Sequence, residues 1–261
     1  TDVELEILAK HKVAFLEKYN CKVIVSDEEI IKIADDKFKT AQFLKNNNFP
    51  YPVSVMANDK DKLLEIEEKF GFPLFAKPCD GARSMGIKKI KNHDELMELY
   101  HPESNLVVQQ FLPSNVGEYT SGCVVVDGKC EAVVTMRRDL KDGNTYRAYR
   151  DEETSNYDQT IVQIAEKLKA EGPVNFQFRV LNGKPVVFEI NCRFSGTTPL
   201  RHFYGFNEVD AMLKYYLFKE PIHPPTLKKG LVMRTWSDIF VDYDEIETLK
   251  KDKVLENLNP N

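Results

Sequence analysis

Two segments of this chain alternate polar and apolar residues with a period of two. Over 173–180, Asn175, Gln177 and Arg179 alternate with Phe176, Phe178 and Val180. Over 186–193, Glu189, Asn191 and Arg193 alternate with Phe188, Ile190 and Cys192. Side chains two apart share one face of a strand, so each segment is predicted to be a strand with an apolar face and a polar one. Asn182-Gly183 between them predicts a two-residue hairpin turn. That register pairs Gln177 with Phe188 and sends Gln177 and Glu189 to opposite faces. A site shared by both needs an odd loop count, such as three residues with Gly183 in the left-handed region.

The rest of the pattern predicts mixed elements. A helix is expected over 2–19, a strand over 22–25 and a capped helix after Ser26. Asp35 or Asp36 caps a helix running to Asn46, and 47–50 forms a turn. A strand follows over 53–56, then a helix over 59–70 ended by Gly71. Strands are expected over 74–77, 87–90 and 105–109, with a helix capped near Asn92 or Asp94. A hairpin over 119–126 and 129–136 turns at Asp127-Gly128. Residues 138–156 are polar and without period. They are expected to form a mobile loop beside a site, or a plain surface loop. Helices over 157–170 and 207–217 and a strand over 231–235 complete the chain, and no internal repeat is visible.

The polar strand faces carry candidate chemistry. A carboxylate, two amides and an arginine suit a hard cation bound with phosphate groups. The wet face of an ordinary sheet accounts for the same pattern equally well. A second motif is Lys77, at the end of an apolar strand, followed by a loop with Gly81, Ser84 and Gly86. The glycine spacing fits a P-loop, but Ile87 stands where lysine is required and no helix starts there. Such a loop can close over phosphates, its N–H groups and the lysine meeting their charge. An ordinary hairpin loop is the alternative.

Taken jointly, these motifs resemble the ATP-grasp superfamily, in the branch of the carbamoyl-phosphate synthase large chain. Asp36-Lys37 with Thr40 and Phe43-Leu44 is similar to that family's early helix. The run 107–113 with Gly117-Glu118 is similar to its adenine-linker and ribose-binding segment. Residues 188–196 are similar to its signature, with Cys192 in place of proline, and Gln110 stands where many members carry glutamate. The resemblance covers about residues 35–215. It implies an α+β fold: an ATP-grasp fold with a lid subdomain, an antiparallel-sheet C-terminal subdomain and the remnant of an N-terminal open α/β domain. The expected boundaries are 1–34 for that remnant, 35–225 for the ATP-grasp domain with its lid at 72–108, and 226–261 for a C-terminal extension. On this reading the start of the natural protein is missing.

The resemblance further implies ATP and Mg²⁺ (or Mn²⁺) as cofactors. Lys37 and Lys77 neutralise phosphates, with Gly81, Ser84 and Gly86 over them in a loop that is poorly ordered without nucleotide. The Gln110, Phe111 and Leu112 backbone meets adenine and Glu118 the ribose. Gln177, Glu189 and Asn191 are the metal ligands, while Arg193 and, as a second clamp, Arg137 hold carboxylate or phosphoryl oxygens. The implied activity is a ligase that phosphorylates a carboxylate and joins it to an amine, both small molecules. A phosphotransferase without ligation and a non-catalytic nucleotide-binding module are the alternatives.

Composition adds exclusions. The 261 residues are 42% hydrophobic and 30% charged with a net charge of −5, enough for a sizeable core and unlike the basic face of nucleic-acid binders. No apolar run reaches spanning length and no signal peptide is visible, so no membrane partner and a cytoplasmic site are expected, with a homodimer as an option. Five cysteines, an odd number without metal-type spacing, read as reduced packing residues. His202 and His223 read as structural or exposed residues and Trp236 as a core residue.

Overall fold

Two antiparallel sheets organise the computed structural model, which describes residues 2–80, 86–113, 117–235, 240 and 242–252. Helix α1 (Asp2–Tyr19) buries only Leu5 and Ala9. The strand expected over 22–25 does not form. Val25 packs directly into the core, and Ser26 bonds Glu171 twice, its Oγ accepting from the backbone N–H (2.9 Å) and donating to the carbonyl (3.1 Å). Those contacts leave no strand ladder to join. Helices α2 (Glu28–Asp35) and α3 (Lys37–Asn46) follow. Asp36 separates them because its carboxylate caps α3, accepting from the N–H groups of Phe38 and Lys39 at 2.9 Å.

The small sheet contains β1 (Ser54–Met56), β2 (Leu74–Pro78), β3 (Lys88–Ile90) and β4 (Leu106–Gln110), in the order β1-β4-β2-β3. Helices α4 (Lys60–Phe70) and α5 (His93–Met97) cover one face. They are capped by Asp59 and Asn92, and Leu63, Ile66 and Leu96 meet Leu74, Ile90 and Val108 there. β1 and α4 thus join the layer expected to begin at residue 72.

The large sheet contains β5 (Glu118–Val126), β6 (Lys129–Lys141), β7 (Asn144–Arg150), β8 (Gly172–Leu181), β9 (Lys184–Asn191) and β10 (Gly230–Met233). Their order is β10-β7-β6-β5-β8-β9. The expected loop over 138–156 is instead the end of β6, a turn at Asp142-Gly143 (φ 52° and 74°), β7 and the short α6 (Glu152–Ser155). Its pattern hid it because cations on rings replace apolar pairs: Arg137 lies over Tyr149 and Arg147 over Tyr146, at 4.2 and 5.0 Å.

One face of this sheet is sealed. Helix α7 (Asp158–Leu168) contributes Ile161, Ile164, Ala165 and Leu168, and with α2 and α3 it covers Cys123, Val125, Phe176, Phe178 and Ile190. The other face is covered at one end only, by α8 (Thr198–Phe203), which the pattern did not predict, and α9 (Glu208–Leu213). α9 runs into a π turn over Lys214–Phe218. Val124, Val134, Met136, Leu200, Tyr204 and Met212 form that apolar end. The far end of the same face is polar. A last helix, α10, spans Tyr243–Asp252.

The two hairpins that build the polar end share one device. Asn182 and Gly183 (φ 51° and 73°) form a two-residue turn pairing Leu181 with Lys184, so the expected three-residue loop is absent. A bulge corrects the register instead. Phe178 pairs with Val187 but Gln177 with Glu189, leaving Phe188 as the extra residue. Likewise Val125 pairs with Cys130 but Val124 with Ala132, leaving Glu131 extra and setting Glu118 opposite Arg138.

Candidate active site

Across the polar end, Glu118, Thr120 and Gly122 of β5 stand opposite Arg179, Gln177 and Asn175 of β8. Beyond them lie Glu189 and Asn191 of β9. The bulge brings Gln177, Glu189 and Asn191 to one face. Glu189 Oε1 accepts from Gln177 Nε2 at 2.6 Å and from Asn191 Nδ2 at 3.0 Å. Lys77, at the end of β2, reaches across from the small sheet, its Nζ 5.6 Å from the ring centre of the extra residue Phe188. Burial pushes Lys77 down to about 8, against the pull of Glu189. Lys37, at the start of α3, lies close enough for its charge to add to that depression. Its backbone N–H donates to the Cys79 carbonyl at 2.9 Å, while its Nζ lies 3.5 Å from that oxygen.

Glu118 is gripped by two guanidinium groups, Arg138 Nη2 at 2.7 Å and Arg179 Nη2 at 3.1 Å. Arg138 also donates to Gln177 Oε1, and Arg179 to the carbonyl of Leu112. The Nε–H groups of Arg138 and Arg179 are buried without a partner among the described residues. The two guanidinium groups give this end of the face a cationic lining around the single carboxylate of Glu118. Phosphoryl oxygens fit them. The oxygens of Gln177, Glu189 and Asn191 likewise fit a hard divalent cation. The set holds one carboxylate, and among the described residues no group of three or more His, Cys, Asp or Glu could hold a metal ion. One carboxylate and two amide oxygens leave most positions around a hard cation to other oxygens.

The remaining expected residues fall around this centre. Gln110 ends β4 with its side chain accepting from the Val53 N–H at 2.9 Å. Phe111 packs on Phe75 with ring centres 5.3 Å apart, and Leu112 is buried. Gly86 has φ +74°, and a Cβ there would lie 3.1 Å from the Pro78 ring. Gly81, Ser84 and the ordering expected of their loop lie outside the described residues, as does Trp236. Arg193 makes two bonds to Asp2, one of them at 2.8 Å, and donates to Asn191 Oδ1 at 3.0 Å and to the Phe194 carbonyl at 3.1 Å. Arg137 is a correction: its guanidinium lies over Tyr149, on the other side of the strand from Gln177 and Glu189. Arg138, its neighbour, is the arginine that faces Gln177 and bonds it and Glu118. The Asp127-Gly128 turn alone pairs Glu118 with Arg137, and only the bulge at Glu131 substitutes Arg138. Burial pushes the Cys79 thiol up to about 11 and Cys192 up to about 12, which leaves both unreactive. A cavity of about 550 Å³ between α3, β1 and α4 is lined by none of the expected site residues.

Asp35, beside Arg193, is raised to about 6 by burial and the neighbouring Asp2 charge, with Glu6 adding to the shift and Arg193 and Lys37 opposing it. Its folded value lies above the ordinary 3.8, so the folded protein holds the proton more tightly and stability falls as pH rises between those values. Asp35→Asn is expected to raise the melting temperature at neutral pH, by about 1 kcal/mol of stability or less after solvent screening. The gain should vanish below about pH 4 in a pH series of thermal melts.

Residues 102–239 match a family described as ATP-grasp in the biosynthetic pathway with Ter operon. That match spans more than half of the chain, which therefore belongs to this ATP-grasp family. The carbamoyl phosphate synthase large chain of Pseudothermotoga lettingae is 24% identical over 200 residues, covering 70% of this chain and 18% of that protein. Among solved structures, N5-carboxyaminoimidazole synthetase from Staphylococcus aureus, complexed with ADP, superposes with a TM-score of 0.69 at 15% identity. It covers 97% of this chain and 66% of its own. The biotin carboxylase domain dimer of Hydrogenobacter thermophilus 2-oxoglutarate carboxylase, in complex with MgADP, ADP and bicarbonate, gives 0.62 at 16% identity over 78% and 52%. The fold is the ATP-grasp fold. The chain spans about a fifth of the curated relative it matches. No helix among the described residues is long and apolar enough to cross a membrane.

Proposed function

We propose that this chain is the ATP-binding and phosphoryl-transfer part of a ligase that activates a small carboxylate as an acylphosphate and passes it to an amine. The observation that carries the reading is the bulged pair Gln177–Glu189 with Asn191, facing the buried Lys77 beside the two arginines that hold Glu118. The ATP-grasp core then takes in more than residues 35–225, since Leu5, Ala9, Val25, Ile31 and Ala34 pack in the same core cluster as Phe176 and Ile190, and β10 joins the large sheet. The relatives' names, a carbamoyl phosphate synthase and carboxylating enzymes, support a carboxylate or bicarbonate acceptor.

Each residue then has a task. Lys77, Lys37 and Arg138 meet phosphate charge, and the backbone of 110–112 meets adenine. Glu118 has lone pairs left beyond its arginines, and these accept from ribose hydroxyls. Gln177, Glu189 and Asn191 would hold Mg²⁺, which would supply positive charge to screen the phosphates. Arg193 takes the acceptor carboxylate, exchanging one carboxylate partner, Asp2, for another. Closing of the small sheet over the cleft excludes water from the acylphosphate.

The test is Mg²⁺-dependent ADP release by the full-length protein with bicarbonate and a panel of amino acids, with and without amine. Release that needs both carboxylate and amine is expected. Release with carboxylate but indifferent to every amine points to a phosphotransferase. Binding of MgADP without turnover on any carboxylate overturns the ligase reading.

A further inference from the structure

Just beyond the metal-ligand strand, a charge sits buried without a task in the scheme above. Arg201, on α8, is 1% exposed, and so is its partner Glu208 at the start of α9. Arg201 Nε donates to Glu208 Oε1 at 2.8 Å. Its Nη2 also lies 2.8 Å from that oxygen, and the head reaches one short turn: Nη1 donates to Thr197 Oγ1 at 2.8 Å, and Nη2 to Ser195 Oγ at 3.0 Å and Thr198 Oγ1 at 3.2 Å. The turn is knitted by the same hydroxyls. Ser195 N–H donates to Thr198 Oγ1, and Thr197 N–H to Ser195 Oγ, both at 3.2 Å. This turn is the direct continuation of Asn191 and Arg193.

The guanidinium rests on the sheet itself. A Cβ at Gly122 would lie 2.3 Å from its Cζ and Nε. A free arginine head could swing away, but this one is enclosed and bonded on every side. Gly122 stands opposite Asn175, and Asn175 opposite Asn191, so the guanidinium is seated in the same row of the sheet as the candidate ligand. Sequence reasoning passed over both residues, because neither Gly122 nor Arg201 belongs to a periodic motif.

A buried ion pair is a poor device for stability alone, since well-packed apolar residues often do as well. We propose that Arg201, paired with Glu208 and seated on Gly122, is a positioning residue: it locks the Ser195–Thr198 turn and thereby sets Arg193 and Asn191 for the reaction. The link to turnover rests on the ligase reading above, whereas the locking of the turn does not.

The test uses the full-length protein with Arg201→Met/Glu208→Leu, which removes both charges together and leaves neither stranded. The expected melting temperature is at or near the wild-type value. Amides of residues 193–198 are expected to exchange about tenfold faster or more, while those of β8 and β9 keep their protection. ADP release is expected to fall about tenfold or more in kcat, with the Kd for MgADP within about twofold. A folded double variant whose turn stays protected overturns the proposal, as does turnover within twofold of wild type. Ser195→Ala/Thr197→Val removes two acceptors without touching the ion pair. It is expected to loosen the same amides, and unchanged protection in it is equally fatal, so the answer does not depend on the double variant folding. If the wild-type protein turns over no carboxylate, the ligase reading fails and the exchange measurement alone decides this one.

Discussion

Glu189→Ala is expected to abolish Mg²⁺-dependent ADP release, by on the order of 10³-fold or more, while the protein still melts cooperatively. Glu189 is the single carboxylate among the three proposed ligands, and its Oε1 also collects the amide groups of Gln177 and Asn191 at 2.6 and 3.0 Å. Removing it takes away the one carboxylate among those three and releases both neighbours. The fold should survive because the side chain stands on the polar, half-buried face of β9 and its loss opens no apolar cavity. Asn191→Ala should do less, since Glu189 remains to hold the metal. Turnover assays beside thermal melts decide the matter. Near-wild-type turnover in a folded Glu189→Ala variant would return this hairpin to an ordinary sheet with a wet face.

The second large effect is a pH dependence at Lys77. Its ammonium is wanted by phosphate, yet burial has pushed it down to about 8. Affinity for MgADP should therefore fall by about tenfold per pH unit above 8. Lys77→Met should remove that step and weaken binding by about 10- to 100-fold at neutral pH, the worth of a charge-assisted hydrogen bond. Stability should move the other way. The folded value lies below the ordinary 10.5, so the folded state gives up its proton first. The buried ammonium costs stability in full below about 8, and that cost fades as pH rises from 8 to 10.5. Lys77→Met is then expected to melt higher than wild type at neutral pH while binding nucleotide worse. Calorimetric titration and melts across pH 6–10 give both signs. A variant that loses stability and affinity together would mark Lys77 as a structural residue.

Much of this architecture was legible along the chain. The helices at α3, α4 and α5 were expected from the chain, the first and last with two candidate caps each, Asp35 or Asp36 and Asn92 or Asp94, and the structure uses Asp36, Asp59 and Asn92. The strand that carries Lys77 showed as an apolar run, and the alternation of Gln177, Glu189 and Asn191 against Phe and Ile showed which residues share chemistry. What stayed hidden lies where local pattern and tertiary demand diverge. The β7 strand lacks an apolar period because its partners are stacked cations and tyrosines. The segment at 22–25 has the pattern of a strand, but it packs by Val25 and Ser26 instead.

The amino-acid sequence by itself determined the kinds of side chain on each strand, the turns at Asp127-Gly128 and Asn182-Gly183 and the ends of the helices, because these depend on neighbours a few residues away. Only the tertiary structure decided which of those side chains meet. Each hairpin turn, taken alone, sets a register that sends Gln177 away from Glu189 and gives Glu118 the wrong arginine. One extra residue in each pair, Phe188 and Glu131, reverses both outcomes. A bulge has no strong local signature. It is favoured because the sheet must bury Phe178 and Val187 against α-helices on one face while Gln177 and Glu189 meet on the other, a requirement that exists only once the helices and both sheets are in place.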